Sequence, residues 1–333
     1  TLFVEFASEY LDHFEAFLET GYLHIRSRRK HFQRTGGRGK EAMSKKTLIN
    51  RKTAPYVFLA PTILIFLAFM IYPILRSFYL SFFELLSGSY QFVGFDNYLS
   101  LFRDETFFKS LFNTFIYLII QVPIMIIGAL IIAFLIEEKF IKGRGFFRTA
   151  IFLPTVTALV AYSLVFKVLL NGDHGLINYV LESMGFQGVN WFYEEWPARY
   201  AIIISITWRW LGYNMIILLA GIQAIPQDVM EAAEIDGASF WQKFLYITVP
   251  MVKQLILFCT ITSTIGTLQL FDEPFILTEG GPNNATITMG QYLYNNGFRY
   301  LKFGYASAIG YVMTFIIAGL SAVQFFVTKE EKK

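Results

Sequence analysis

Six long apolar runs constrain the fold of this chain more than any other feature of its sequence. They lie at about 55–83, 110–136, 148–170, 199–223, 251–272 and 303–327. A helix needs about 20 mostly apolar residues to cross the hydrocarbon core of a bilayer, and each run is long enough. The sequence therefore predicts an all-α membrane protein with six transmembrane helices, the first of them kinked at Pro61 and Pro73.

The composition excludes an ordinary soluble protein. Hydrophobic residues make up 55% of the chain and charged residues only 16%, whereas soluble chains carry about a quarter charged residues. The net charge of +3 is too small to indicate a nucleic-acid partner. The single cysteine, Cys259, lies inside an apolar run, and we interpret it as a packing residue.

Lys and Arg predict the orientation of the six helices. Basic residues concentrate on one side of the predicted bundle, at Lys45, Lys46, Arg51, Lys52, Lys139, Lys142, Arg144, Arg148, Lys243, Lys253, Lys329, Lys332 and Lys333. Cytoplasmic loops of membrane proteins are enriched in these residues. We therefore expect both termini and the connection 224–250 to be cytoplasmic, in a bacterial cell membrane.

The two ends of the chain differ from the middle. Residues 1–50 are predicted to be a cytoplasmic extension, with an amphipathic helix near its start and a basic, Gly-rich stretch after it. Two interpretations remain: a genuine extension, or a non-native segment with Met43 as the natural start, which we favour. Residues 51–328 form the predicted transmembrane domain, and 329–333 form a charged C-terminal tail.

Residues 224–250, called the hook below, are predicted to form two short helices joined by a sharp turn. Pro226 can occupy a first helical position, and Gly237 can end that helix in the left-handed conformation. Ser239 can cap the second helix, and Phe240 opens its apolar face. This shape, at a membrane surface, is suited to docking into another protein.

Ten hook residues resemble the EAA coupling motif found in the inner-membrane permeases of ABC importers. They are Glu231, Ala232, Ala233, Asp236, Gly237, Ala238, Phe240, Phe244, Ile247 and Pro250. The chain is similar to the sugar permeases of the maltose-transporter type, and weaker matches at 93–98, 152–154 and 278–282 extend the resemblance over about residues 53–328.

The resemblance implies a permease subunit of an ATP-driven importer for a sugar or oligosaccharide. Its implied partners are a second homologous permease subunit, a dimer of cytosolic ATPase subunits and an extracytoplasmic sugar-binding protein. Glu231 is the expected polar docking contact and Gly237 the expected turn, and the other implied ATPase-coupling residues are Ala232, Ala233, Asp236 and Phe240.

The sequence contains no recognisable catalytic, metal or cofactor site. Residues 36–41 are the nearest match to a phosphate loop, but the earlier glycine is missing and no Ser or Thr follows Lys40. The four histidines are scattered without metal-ligand spacing. We therefore expect no enzyme activity and no bound cofactor in this chain, with ATP and Mg²⁺ held by the partner ATPase.

Polar residues in the fourth and fifth runs are candidates for the substrate path. Arg209 stands at the middle of the fourth run, where a charged side chain normally faces a cavity or a partner. It can contact a sugar or pair structurally with another helix, and both interpretations stay open. The fifth run carries a polar stripe from Thr260 to Gln269, which can equally form interhelical hydrogen bonds.

The resemblance narrows these candidates. Alignment to the maltose-type permeases implies sugar-contact positions at Tyr213, Ser263 and Thr267. Arg209, Asn214 and Gln269 are the next candidates. Leu270 replaces an amide of the maltose permease, so maltose itself is not implied.

Three alternatives use other cargo or another mechanism. The same machinery could import a phosphorylated polyol such as glycerol phosphate, with Arg209 as the anion partner. An ion-coupled secondary transporter would require an internal repeat and broken helices around midplane acids, and no repeat is evident. A membrane-bound enzyme would require convergent His, Asp or Cys residues, which the sequence does not offer.

Overall fold

The computed structural model describes residues 54–86, 88–138 and 141–330, and these residues are predominantly helical. The helices, in chain order, are α1 Ala54–Phe66, α2 Tyr72–Leu80, α3 Asp96–Leu101, α4 Glu105–Glu137, α5 Arg144–Val156, α6 Leu159–Leu169, α7 Leu176–Ser183, α8 Glu195–Gln223, α9 Gln227–Ile235, α10 Phe240–Gln242, α11 Val249–Met251, α12 Lys253–Leu268, α13 Met289–Tyr294 and α14 Phe303–Glu330. Wider π-helical turns occupy Leu67–Ile71, Lys243–Thr248, Pro274–Thr278 and Asn295–Arg299. The helix predicted near the start of the chain lies outside the described residues.

The chain divides into two units, Thr1–Ile65 and Phe66–Lys333. In the first unit, the described residues belong to α1, and nearly every described side chain is exposed, as for Phe58 at 76%. An apolar helix with this exposure is suited to contact with lipid tails. Pro61 lies within α1 without ending it.

The number of membrane spans is between four and six by helix length and composition. Four helices qualify alone: Tyr56–Leu80, Glu105–Glu137, Glu195–Gln223 and Phe303–Val327. Two further pairs qualify only as broken helices, with α5 and α6 bent by 100° and Phe240–Met251 bent by 72° from α12. The helical membrane architecture is therefore confirmed, and the count of six stays a prediction.

The third apolar run is not the single continuous helix that the sequence predicted. Its helix breaks between α5 and α6 because Thr157 and Ala158 adopt extended backbone angles, with ψ of 138° and 131°. Such angles cannot continue the hydrogen-bond ladder of a helix.

The all-α prediction also misses a small hairpin. Strand β1, Phe83–Leu86, pairs antiparallel with β2, Ser89–Phe92. Gly88 adopts a φ of +82° in the turn between them, a conformation that glycine tolerates without strain. The connection after the first apolar run therefore contains ordered backbone pairing.

Helix α3 is short and ends at Leu101. Asp104 caps the next helix, because its carboxylate accepts hydrogen bonds from the backbone N–H groups of Thr106 and Phe107 at 2.8 and 3.3 Å. This capping carboxylate separates α3 from the long helix α4.

The core of the second unit forms where α4 packs along α8. Ala129 and Ala133 of α4 and Met215 and Leu218 of α8 are completely buried in one apolar cluster. Cys259 of α12 is completely buried in the same cluster, in agreement with its interpretation as a packing residue. Small residues on α4 allow this close approach of the helices.

Gly212 brings α8 against the backbone of α5, and its replacement gives a testable prediction. A Cβ at this position would lie 2.0 Å from the carbonyl oxygen of Ile151. We expect Gly212→Ala to destabilise the protein by about 1–3 kcal/mol, because the two helices must separate. The measurement is thermal unfolding of the purified protein in detergent.

Gly266→Ala is the matched control, since nothing lies within 4 Å of a Cβ added at this position in α12. It should leave the unfolding temperature unchanged or slightly raised. Equal decreases of the unfolding temperature in the two variants would contradict the packing role of Gly212.

Candidate functional site

A cavity of about 340 Å³ lies between α4, α8, α12 and the segment that follows α12. Five residues predicted for the substrate path line it, namely Tyr213, Asn214, Ser263, Thr267 and Gln269. The structure thus brings together side chains from two apolar runs that are far apart in sequence. Their contact with cargo stays a prediction.

Arg209 is not among the residues that line the cavity. Its Nη1 atom lies 4.0 Å from Oε1 of Glu273, and only 11% of its side chain is exposed. The guanidinium carbon lies 4.7 Å from the ring centroid of Tyr162 and 5.4 Å from that of Trp210. This geometry favours the structural interpretation of Arg209, in which the cation pairs with another segment.

Two consecutive carboxylates, Asp272 and Glu273, line the cavity where it meets the segment after α12. Glu273 is 3% exposed and accepts a hydrogen bond from the Tyr162 hydroxyl. Neither acid was among the predicted site residues. Their position beside an apolar run was the available signal, because acids at membrane depth normally have a function or a partner.

Some polar side chains of α12 line the cavity, and others form hydrogen bonds with neighbouring helices. Thr267 donates a hydrogen bond to Oε1 of Gln121 on α4 at 3.1 Å, whereas Thr264 accepts one from Gln324 on α14 at 2.9 Å. Ser263 lies 3.5 Å from Oδ1 of Asn214 on α8. Gln121 lines the cavity but was not predicted, since one amide in a long apolar run carries no periodic signal.

Two aromatic rings from α8 stand beside these polar groups. Trp210 and Tyr213 both line the cavity, with ring centroids 6.0 Å apart and ring planes at 90°. Such rings offer apolar faces next to hydrogen-bonding groups. The cavity can therefore bind a molecule that has both hydroxyl groups and apolar patches.

The hook contains the helix, glycine turn and second helix expected from its sequence. Gly237 adopts a φ of +78° after α9. Ser239 and Gln242 form a reciprocal capping box at the start of α10, with Ser239 N–H donating to Gln242 Oε1 at 2.7 Å. Pro226 is the residue before α9 and not its first residue, because its ψ of 132° is extended.

The predicted coupling residues lie on two faces of the hook. Ala233 and Phe240 point toward the core, where the Phe240 ring centroid lies 4.8 Å from that of Phe134 on α4. The outward face exposes Glu231, Ala232, Asp236 and Gly237. Ile235 is apolar but 86% exposed, since it ends α9 just before the glycine turn.

Among the described residues, no group of three or more His, Cys, Asp or Glu side chains could hold a metal ion.

Apolar helices around a cavity that holds several polar and acidic side chains are typical of membrane transport proteins. Residues 98–330 match the family described as binding-protein-dependent transport system inner membrane component. The chain belongs to this family.

The lactose transport system permease protein LacF of Rhizobium radiobacter is 46% identical over 282 residues, covering 83% of this chain and 94% of LacF. The arabinooligosaccharides transport system permease protein AraP of Halalkalibacterium halodurans is 36% identical, covering 85% of this chain and 90% of AraP. A chain of a bacterial ABC transporter involved in alginate import has the same fold, with a TM-score of 0.75, 24% identity, and coverage of 85% of this chain and 97% of that chain. The predicted resemblance to ABC sugar permeases is confirmed.

Proposed function

We propose that this chain is the permease subunit of an ATP-driven importer for an uncharged sugar or oligosaccharide, of which it forms half of the translocation path. The observation that carries the proposal is the cavity beside Tyr213, Asn214 and Ser263, which combines hydroxyl, amide and aromatic groups. The similarity to LacF and AraP, transport permeases for lactose and for arabinooligosaccharides, supports the choice of cargo.

In this proposal, the polar side chains that line the cavity and the Trp210 ring have distinct roles. Asn214 and Gln269 offer amide groups, and the carboxylates of Asp272 and Glu273 accept hydrogen bonds from cargo hydroxyls. Trp210 covers an apolar face of the sugar ring. Ser263 and Thr267 already bond to Asn214 and Gln121, so they position these amides as well as face the cargo.

The charge of the cavity favours uncharged cargo over a phosphorylated polyol. Asp272 and Glu273 line the cavity, and the described lining residues include no Lys, Arg or His. Arg209, the cation required for an anionic cargo, already faces Glu273. A phosphate in this cavity would therefore experience repulsion from the carboxylates without a free cation nearby.

The exposed face of the hook is the proposed contact between this chain and an ATPase. Its exposed residues Glu231, Ala232 and Asp236 would dock into one subunit of a cytosolic ATPase dimer. A second, homologous permease would close the other side of the path, and an extracytoplasmic binding protein would deliver the sugar. Six spans with both termini in the cytoplasm would place the hook within reach of the ATPase.

Purification of the chain from its native host in mild detergent, followed by mass spectrometry, tests the assembly. We expect an ATPase and a second permease to co-purify with it. Uptake in cells should stop when ATP is depleted and should persist when ion gradients are collapsed. Recovery of the chain alone, with uptake driven by an ion gradient, would move the assignment to a secondary transporter.

A further inference from the structure

A buried lysine joins the hook to the end of the long helix α4. Lys243 follows α10 and is only 8% exposed. Its Nζ atom lies 3.1 Å from Oε1 of Glu234 on α9 and 3.5 Å from Oε1 of Glu138, directly after α4. One ammonium group therefore contacts both helices of the hook and the core of the bundle.

The adjacent carboxylate, Glu137, joins the same end of α4 to two other helices. Its Oε2 atom accepts hydrogen bonds from Arg148 of α5 at 3.2 Å and from Gln223 of α8 at 2.9 Å. Arg144 lies 3.6 Å from its other oxygen. Since Glu138 contacts the hook and Glu137 contacts α5 and α8, the end of α4 is a junction between the hook and the cavity-forming helices.

Apolar side chains also join the hook to α4, among them Met230, which packs against the cluster that contains Phe134. Phe240 and Phe244 lie 4.8 and 5.2 Å from the Phe134 ring, measured between centroids. A second cavity of about 320 Å³ is lined by Phe134 and Glu138 of the α4 end and by Lys243 of the hook, among others. The described attachment of the hook to α4 thus combines apolar packing with an ionic contact, beside an open space.

A buried ammonium group is costly unless a carboxylate remains beside it. When the hook moves, Glu234 moves with Lys243, but Glu138, whose side chain is 17% exposed, keeps this cation only if the end of α4 follows. An aromatic cluster allows sliding, because dispersion contacts are weakly directional. The ionic contact is accordingly the part of the attachment that resists separation of the hook from α4.

We propose that Lys243 is a positioning residue that transmits displacement of the hook to α4 through Glu138. The proposal rests on the proposed docking of the hook to an ATPase. Because α4 packs along α8 and contributes Gln121 to the central cavity, movement of its end changes access to that cavity.

The test uses the complete importer in lipid nanodiscs and needs no knowledge of the sugar. Cys259 is replaced by alanine, and Ser263→Cys places one reporter thiol in the central cavity. The rate of maleimide labelling is measured without nucleotide and with ATP and vanadate. With Lys243 intact, we expect this rate to change by about tenfold between the two states.

Lys243→Met should reduce the nucleotide response to less than about twofold, while the ATPase still co-purifies and hydrolyses ATP. Glu138→Lys should do the same. The charge swap Lys243→Glu with Glu138→Lys, made together with Glu234→Gln so that no carboxylate faces the new glutamate, should restore most of the response. Glu234→Gln, which removes the carboxylate that Lys243 contacts on α9 and leaves Glu138 in place, is the matched control and should keep the response.

A normal labelling response in Lys243→Met, or a charge swap no better than either single variant, would overturn the proposal. A purely structural role would instead lower the yield of the assembled complex and leave its response unchanged. Absence of any nucleotide response with Lys243 intact would overturn the proposed function itself, and this inference with it.

Discussion

Gly237→Val is expected to reduce ATP-driven uptake by at least about tenfold, while the chain still inserts into the membrane and assembles. Gly237 adopts a φ of +78°, in the left-handed region that β-branched residues resist most strongly. No atom lies within 4 Å of a Cβ built at this position, so the penalty comes from the backbone alone. The measurement is uptake per assembled complex in proteoliposomes.

The strain acts on the geometry of the hook. A non-glycine residue held in this conformation costs about 1–3 kcal/mol, and relaxation of the turn relieves that cost. Relaxation would rotate α10 relative to α9 and displace the outward face that carries Glu231 and Asp236. Only a minor fraction of the molecules would then hold the hook in its docking conformation. This would weaken the coupling of ATP hydrolysis to transport without disturbing the transmembrane helices.

Gly237→Asn is the matched control, because asparagine tolerates the left-handed conformation far better than valine. It adds a side chain of similar size at the same open position and should retain most of the uptake. Full uptake by Gly237→Val would show that the turn has no coupling role. Equal losses in both variants would assign the effect to the added side chain and not to the backbone.

The hook was predictable because its structure is set by local rules. A glycine that ends a helix and a serine that caps the next one act within a few residues, and both are read directly from Gly237 and Ser239. The placement of the hook against α4 was not predictable in the same way. It depends on Lys243 and Glu138, which are 105 positions apart and carry no shared pattern.

The central cavity shows the same division between local and tertiary information. Long apolar runs identify the helices, and the resemblance selects Tyr213, Ser263 and Thr267 among their residues. Gln121 joins the cavity only because α4 packs against α8 and α12. The break at Thr157 and Ala158 is likewise a tertiary feature, since neither residue is a strong helix breaker.

Glu273→Ala is expected to destabilise the protein by about 3–5 kcal/mol. The substitution leaves the Arg209 cation buried without its carboxylate, and it removes the acceptor of the Tyr162 hydroxyl. Both groups are largely buried, with Arg209 at 11% side-chain exposure and Tyr162 at 1%, so each would lose a partner that it needs there. The measurement is thermal unfolding in detergent, followed by intrinsic tryptophan fluorescence.

Asp272→Ala provides the control, because Asp272 lines the same cavity but has no ion-pair partner among the described residues. The substitution should lower the free energy of unfolding by about 1 kcal/mol or less.

The double variant Arg209→Met with Glu273→Met should recover most of the stability, since an apolar pair needs no compensating charge. A double variant as unstable as the sum of its single variants would show that Arg209 and Glu273 contribute independently. The arginine would then be free to face an anionic cargo, and the choice of uncharged sugar would lose its main support.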